Sequence, residues 1–341
     1  MTHTTHWRSS VIITAIVTHT LVGFAQSKGS SISSSRAETR LSEEVGELIE
    51  ERPNYTLAQI MPAYKIALKK GMFEVNSGLG HSDRSEEINR GQPNYIKKTP
   101  RADFIPVQLG YGLTNNTNFW ISSKIVRLQD KVTKTNLEGT MEPQFSLSHS
   151  FRNDNSSITI TGTYTADVGP STLNSRAASR KEGNTLEGGA SGELMASYFA
   201  RLSPVIVGAE VSYLYRDSRL RNEETVALFT GQTTGQTQTR IEGGDEKTLR
   251  GVVELAAPFR IGATFGRTWV EEEEHIITYQ PTTILYGSYY RNFMSAYSRI
   301  QINPKLSVLP SVAYTEAPDT TSMTGQQNQE ISTQLNLRYR F

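Results

Sequence analysis

The 341-residue chain contains no cysteine, which excludes thiol catalysis, thiolate metal sites, disulfides and a lipid-anchored cysteine. It lacks a surplus of one charge: 35 Lys and Arg face 34 Asp and Glu. No basic field therefore points to nucleic acid. Apolar residues are scarce for a packed core of this length, at 36% with a mean hydropathy of −0.43. Histidine is rare too, and beyond residue 25 only His81, His149 and His275 occur. No nucleotide-binding motif or cofactor site is visible, so any solute movement follows its own gradient.

Long apolar runs are missing after residue 25, so no helix is expected to span a bilayer. The first 25 residues differ. MTHTTHWR is followed by the mostly apolar VIITAIVTHTLVGFA, which ends in Gly23-Phe24-Ala25. This reads as a signal peptide, residues 1–25, and an exported chain. Hydrocarbon accepts only helices and closed barrels as spanning structures. An exported chain without a spanning helix is then either soluble or a β-barrel.

What is present from residue 71 onward is alternation. Ile105, Val107, Leu109, Tyr111 and Leu113 alternate with polar or small residues, as do Phe145, Leu147 and Phe151, and Val205, Val207, Ala209, Val211, Tyr213 and Tyr215. In the last segment, Ile331, Thr333, Leu335, Leu337, Tyr339 and Phe341 share one parity, with Arg338 and Arg340 on the other. Successive strand side chains point to opposite faces. Counting such segments predicts twelve strands, with 285–302 ambiguous because Tyr289, Phe293 and Tyr297 share parity with Arg291 and Arg299.

Short turns near 114–117, 152–155, 202–204, 258–260 and 303–304 alternate with polar stretches near 82–102, 131–139, 167–188, 217–246, 271–284 and 316–328. That order fits a transmembrane up-and-down antiparallel β-barrel over 71–341, with periplasmic turns and external loops. Phe119, Trp120, Phe151, Phe259, Tyr339 and Phe341 at the turn side, and Tyr213, Tyr215, Trp269 and Tyr314 at the loop side, read as two interfacial girdles. Outer-membrane lipid and lipopolysaccharide are the surroundings this implies. The closing strand, through Tyr339 and Phe341, reads as the signal for the barrel-assembly machinery.

Residues 26–70 read as a periplasmic or lumen-plugging segment. A serine-rich lead precedes AETRLSEEVGELIEER, where Leu41, Val45, Leu48 and Ile49 form one helical stripe among glutamates. Such a short helix is marginal alone in water. It is a linker, a plug in the lumen, or a surface for self-association or a partner.

With the polar parity inward, Glu74, Lys124, Glu142, Glu193, Arg201, Glu210, Arg250, Glu254, Arg299, Arg338 and Arg340 line the lumen or its mouths. They form either a set of mutually paired charges that fills the interior or a charged constriction that selects solutes. The first alternative makes the protein a structural barrel whose external loops bind a partner. A hydrolase is disfavoured, because Ser148 and Ser150 lie on the opposite parity from His149, and a base cannot reach a nucleophile through the sheet. Glu271 to His275 alternate faces and cannot converge on a metal.

The stretch PVQLGYGLTNNTNFWISSKIV, Pro106–Val126, is an alternating strand, Tyr-Gly-Leu-Thr, a short polar turn and a second amphipathic strand. It resembles the outer-membrane transporter family of phenol-degradation pathways. In organisation that group is similar to the twelve-stranded pores that export functional amyloid subunits. The resemblance implies a barrel in the bacterial outer membrane with a transport role, passing small solutes or an exported substrate.

Overall fold

The computed structural model describes Pro62, Lys65 and residues 67–341, apart from 89–95, 133, 178–179, 227–232, 256–259, 278–281 and 318–326. The signal peptide and the stripe of Leu41, Val45, Leu48 and Ile49 lie outside the described residues. None of the described residues forms a helix.

Twelve strands close on themselves. We number them β1 Phe73–Ile88, β2 Arg101–Gly112, β3 Thr117–Asp130, β4 Gln144–Arg152, β5 Ser156–Thr165, β6 Ser191–Leu202, β7 Val205–Arg216, β8 Glu246–Leu255, β9 Ile261–Val270, β10 Tyr289–Ser298, β11 Leu306–Ala317 and β12 Gln327–Arg340. Each pairs antiparallel with the next, and β1 pairs with β12 from Glu74↔Arg340 to Glu87↔Gln327. Closure leaves no edge in hydrocarbon, where an unpaired backbone amide costs several kcal/mol.

The alternation decides which side is wet. On β4, Phe145, Leu147, His149 and Phe151 are exposed, while Ser148 and Ser150 are buried. On β12, Ile331, Leu335, Leu337 and Tyr339 are exposed and Arg338 is buried. This inverted order, with apolar side chains mostly outward and polar ones mostly inward, runs around the barrel. Such an exterior is stable only against lipid. Inside, hydroxyl pairs bridge adjacent strands, including Ser150–Thr159 and Thr248–Thr268 at 2.9 Å and Thr264–Ser295 at 2.7 Å.

Two expectations need correction, and one that stood open is decided. The polar stretches are not simple loops, because β1 itself runs on to Ile88. Beyond the barrel, 135–140, 180–183, 171–177, 219–226, 233–243, 273–277 and 282–286 pair in that order and prolong the wall of one flank on the loop side. Trp120 is no girdle residue: it points inward and is 8% exposed. The ambiguous stretch keeps its register, with Phe293, Tyr297, Arg291 and Arg299 all inward. Phe259 lies outside the described residues.

Trp120, Phe293 and Tyr297 turn inward for a common reason. Five inward aromatic rings each lie across a directly paired glycine: Phe104 over Gly80, Trp120 over Gly110, Phe199 over Gly208, Phe293 over Gly266 and Tyr297 over Gly262. A Cβ at any of these glycines would collide with the ring. The missing side chain makes the groove that the aromatic fills.

Candidate functional site: the barrel lumen

The chain enters the lumen at the turn side. Gly71, with φ of 78°, turns it from β1, and Gly71 N donates to Gly112 O at 2.8 Å. It then crosses so close to Gly112 that a Cβ there would clash with the Lys69 carbonyl. The buried Asn118 side chain accepts from Leu68 N at 3.1 Å, and Leu68 is fully buried. Further in, a turn closes with Lys65 N donating to Pro62 O at 2.9 Å, and Pro62 is among the fully buried side chains.

Lys65 is the polar anchor of this segment. Its ammonium lies 2.8 Å from Glu210 of β7 and 2.5 Å from Ser197 Oγ of β6, and 5.6 Å from the centre of the Phe199 ring. Glu210 also accepts from Arg250 of β8 at 2.9 Å. Burial pushes the Lys65 pKa below its ordinary value, opposed by the charge and hydrogen bond of Glu210. A cation between one buried carboxylate and one arginine is held by a narrow balance.

On the loop side of this anchor lies a cavity of about 290 Å³. Glu193, Met195, Arg250, Thr268, Arg291 and Phe293 line it. At its rim Glu246 holds Arg216 at 2.8 Å and Arg291 at 2.6 Å.

On the turn side the interior is rich in arginine. Fully buried Glu74 binds Arg340 at 2.7 Å and lies 3.0 Å from Arg338 Nε without hydrogen-bond alignment. Fully buried Glu254 accepts from Arg260 Nε at 2.6 Å. Arg299 sits within electrostatic reach of Arg260, Arg340, Glu74 and Glu254.

The structure therefore places the candidate residues in three groups. Glu74, Glu254, Arg201, Arg299, Arg338 and Arg340 lie at the turn end, and Glu193, Glu210 and Arg250 around the anchor and cavity. Lys124 and Glu142 stand apart. Lys124 is exposed, 5.7 Å from the centre of the Phe104 ring. Glu142 precedes β4 and accepts from Gly188 N at 2.8 Å. Lys65 and Asn118 were not singled out in the sequence. Lys65 sits in TLAQIMPAYKIALKK, which has no strand alternation to assign it a face.

His149 faces outward, bonded to Thr117 Oγ1 at 2.9 Å and edge-on to Phe151, with Ser148 and Ser150 on the inner face. Glu273 pairs with His275 at 3.2 Å and with Arg219 at 2.6 Å in the external hairpins. Among the described residues no cluster could hold a metal ion.

No protein-family model matches the chain, and no curated protein matches it. Among solved structures, the barrel is similar to an outer membrane channel from Pseudomonas putida F1. That match has a TM-score of 0.59 at 13% identity, covering 83% of this chain and 100% of that one. Weaker likenesses are the TodX monoaromatic hydrocarbon channel deltaS2 mutant, with TM-score 0.47, 9% identity and coverage of 83% and 94%, and a Pseudomonas aeruginosa FadL homologue, with TM-score 0.41, 9% identity and coverage of 82% and 95%. The chain has the fold of an outer-membrane channel barrel, and its apolar exterior places it in that membrane.

Proposed function

We propose that this protein is an outer-membrane channel for small solutes, closed at rest by its own chain at Pro62, Lys65 and Leu68. The observation that carries this reading is the Lys65 ammonium seated on Glu210 and Ser197 between the turn-side mouth and the 290 Å³ cavity. A barrel filled only for rigidity has no need of an anchor supplied by the chain before its first strand. An anchor of one Lys–Glu pair, with Arg250 competing for the same carboxylate, is one that a modest change can release. Solute then passes down its gradient along the polar inner faces of β6–β10. No catalytic step enters this reading.

Planar-bilayer conductance tests it, comparing residues 26–341 with a chain starting at Gly71. Steady conductance only in the shorter form supports a plugged channel, and equal conductance in both removes the gate. Silence from both, with folding verified by heat-modifiable gel mobility, overturns the channel reading.

A further inference from the structure

The outer face of the barrel carries an arginine among lipid-facing side chains. Arg267 of β9 shares the outward parity of Phe265 and Trp269 and is exposed. It lies one cross-strand row inside the loop-side girdle. In that girdle Trp269 pairs directly with Tyr290 of β10 on one side and with Lys247 of β8 on the other. The direct partners of Arg267 itself are Leu249 and Asn292, so the sheet sets no carboxylate opposite it. Phe265, Leu249 and Met294 around it are exposed on the same face. A charge on a lipid-facing wall is costly unless it is answered, and the cost grows with depth.

The guanidinium is nevertheless held in place. Its Nε donates to Asn292 Oδ1 at 2.8 Å, and its central carbon lies 4.3 Å from the centre of the Tyr290 ring. Stack and hydrogen bond fix its plane and leave both Nη groups without a carboxylate among the described residues. The nearby acids serve other groups. Glu271 pairs with Lys247 at 2.6 Å, and Glu316, across Asn292 on β11, bonds with the Tyr314 hydroxyl. The opposite flank of the barrel is built differently. There Arg101 pairs with Asp83 at 3.0 Å, and Arg127 stands directly across from Asp103. The protein supplies a counter-charge to those outward arginines and leaves Arg267 without one.

We propose that Arg267, with Lys247 beside it, is a seat for the phosphate of an outer-leaflet lipid, lipopolysaccharide being the lipid expected in that leaflet. A guanidinium edge matches a pair of phosphate oxygens. Lys247 is the diagonal cross-strand neighbour of Arg267 on the same face, within reach for a long side chain. A phosphate dissolved in water would have to enter the apolar layer to meet this edge, whereas a lipid phosphate stands at that depth already. The site holds whether or not the lumen conducts.

The test titrates residues 26–341, folded in detergent, with purified lipopolysaccharide, counting bound lipid by native mass spectrometry and following the heat-unfolding midpoint on gels. Lipopolysaccharide stripped of its phosphates and inorganic phosphate are the comparisons. The phosphorylated lipid is expected to bind about tenfold more tightly than the stripped one. Arg267→Gln should lose that preference, and Arg267→Lys, which keeps the charge but not the fork or the stack, should keep part of it. Arg127→Gln, on the other flank, should leave it unchanged. Equal affinity for the two lipids, or a preference retained in Arg267→Gln, overturns the proposal. Inorganic phosphate raising the midpoint as far as the lipid does would overturn it too, since the site would then be one for a free anion. If Arg267→Gln does not fold, Lys247→Gln decides in its place, with a loss of about fivefold expected and an unchanged affinity counting against the site.

Discussion

The indole of Trp120 on β3 lies flat across Gly110 on β2, its direct cross-strand partner. A Cβ at that glycine would collide with the ring as it lies. Gly110→Ala is therefore expected to destabilise the barrel by about 1–3 kcal/mol through overpacking. Urea unfolding in detergent micelles measures it, and Trp120→Ala combined with Gly110→Ala should recover part of the first loss. Additive losses would mean that the two residues do not share a groove.

Glu74 is fully buried between Arg338 and Arg340 at the meeting of β1 and β12. Glu74→Gln leaves two guanidinium groups without their carboxylate, a loss expected at about 3–5 kcal/mol. Replacing Arg338 by Met in the same chain should restore stability in part, because one uncompensated charge is then gone. The refolding yield and the urea midpoint report both.

Asn118 holds the entering segment through Leu68 N, at 3.1 Å and fully buried. Asn118→Ala leaves that amide unsatisfied, at about 1–3 kcal/mol. If the segment closes the channel, the variant should open more often, whereas Asn303→Ala, in the short periplasmic turn before β11, should not. Open probability in planar bilayers is the measurement.

The Glu273 carboxyl is held down to about 2, first by its hydrogen bond to His275 and then by Arg219. Its folded pKa lies below the ordinary 4.5, so its contribution is fully present above about 4.5 and is lost as pH falls toward 2. Amide protection factors in the external strands 219–226 and 273–277 should fall between pH 4.5 and 2.5. Those at the centre of β7 should change much less across the same range.

Much of the barrel was legible because period-two alternation survives wherever lipid meets one face. β4, β7 and β12 declare themselves by Phe145, Val207 or Leu337 alone. The alternation fails where the lumen accepts an aromatic ring, as on β10. There Phe293 and Tyr297 break the polar parity, and the glycines that accommodate them, Gly266 and Gly262, sit on a different strand. Trp120 was misplaced for the same reason. A glycine directly opposite an aromatic in the predicted register is a usable signal, but only after the register is known. The external strands were hidden for another reason: stretches such as 219–226 and 233–243 pair in water, where no lipid imposes an apolar parity. Lys65 carried no signal of its own, since its role depends on Glu210 lying 145 positions further along the chain.

The longest uninterrupted register in the barrel joins its first strand to its last, from Glu74↔Arg340 to Glu87↔Gln327. Those partners are the most distant in the sequence, so their pairing pays the greatest chain entropy and waits longest for its reward. Until that pairing forms, β1 and β12 each present one unpaired edge. The entering segment carrying Lys65 is tethered to one of those edges, and its site on Glu210 exists only once β6, β7 and β8 stand side by side. The seat of that segment is thus built from mid-chain strands alone, whereas the seal needs both ends of the chain.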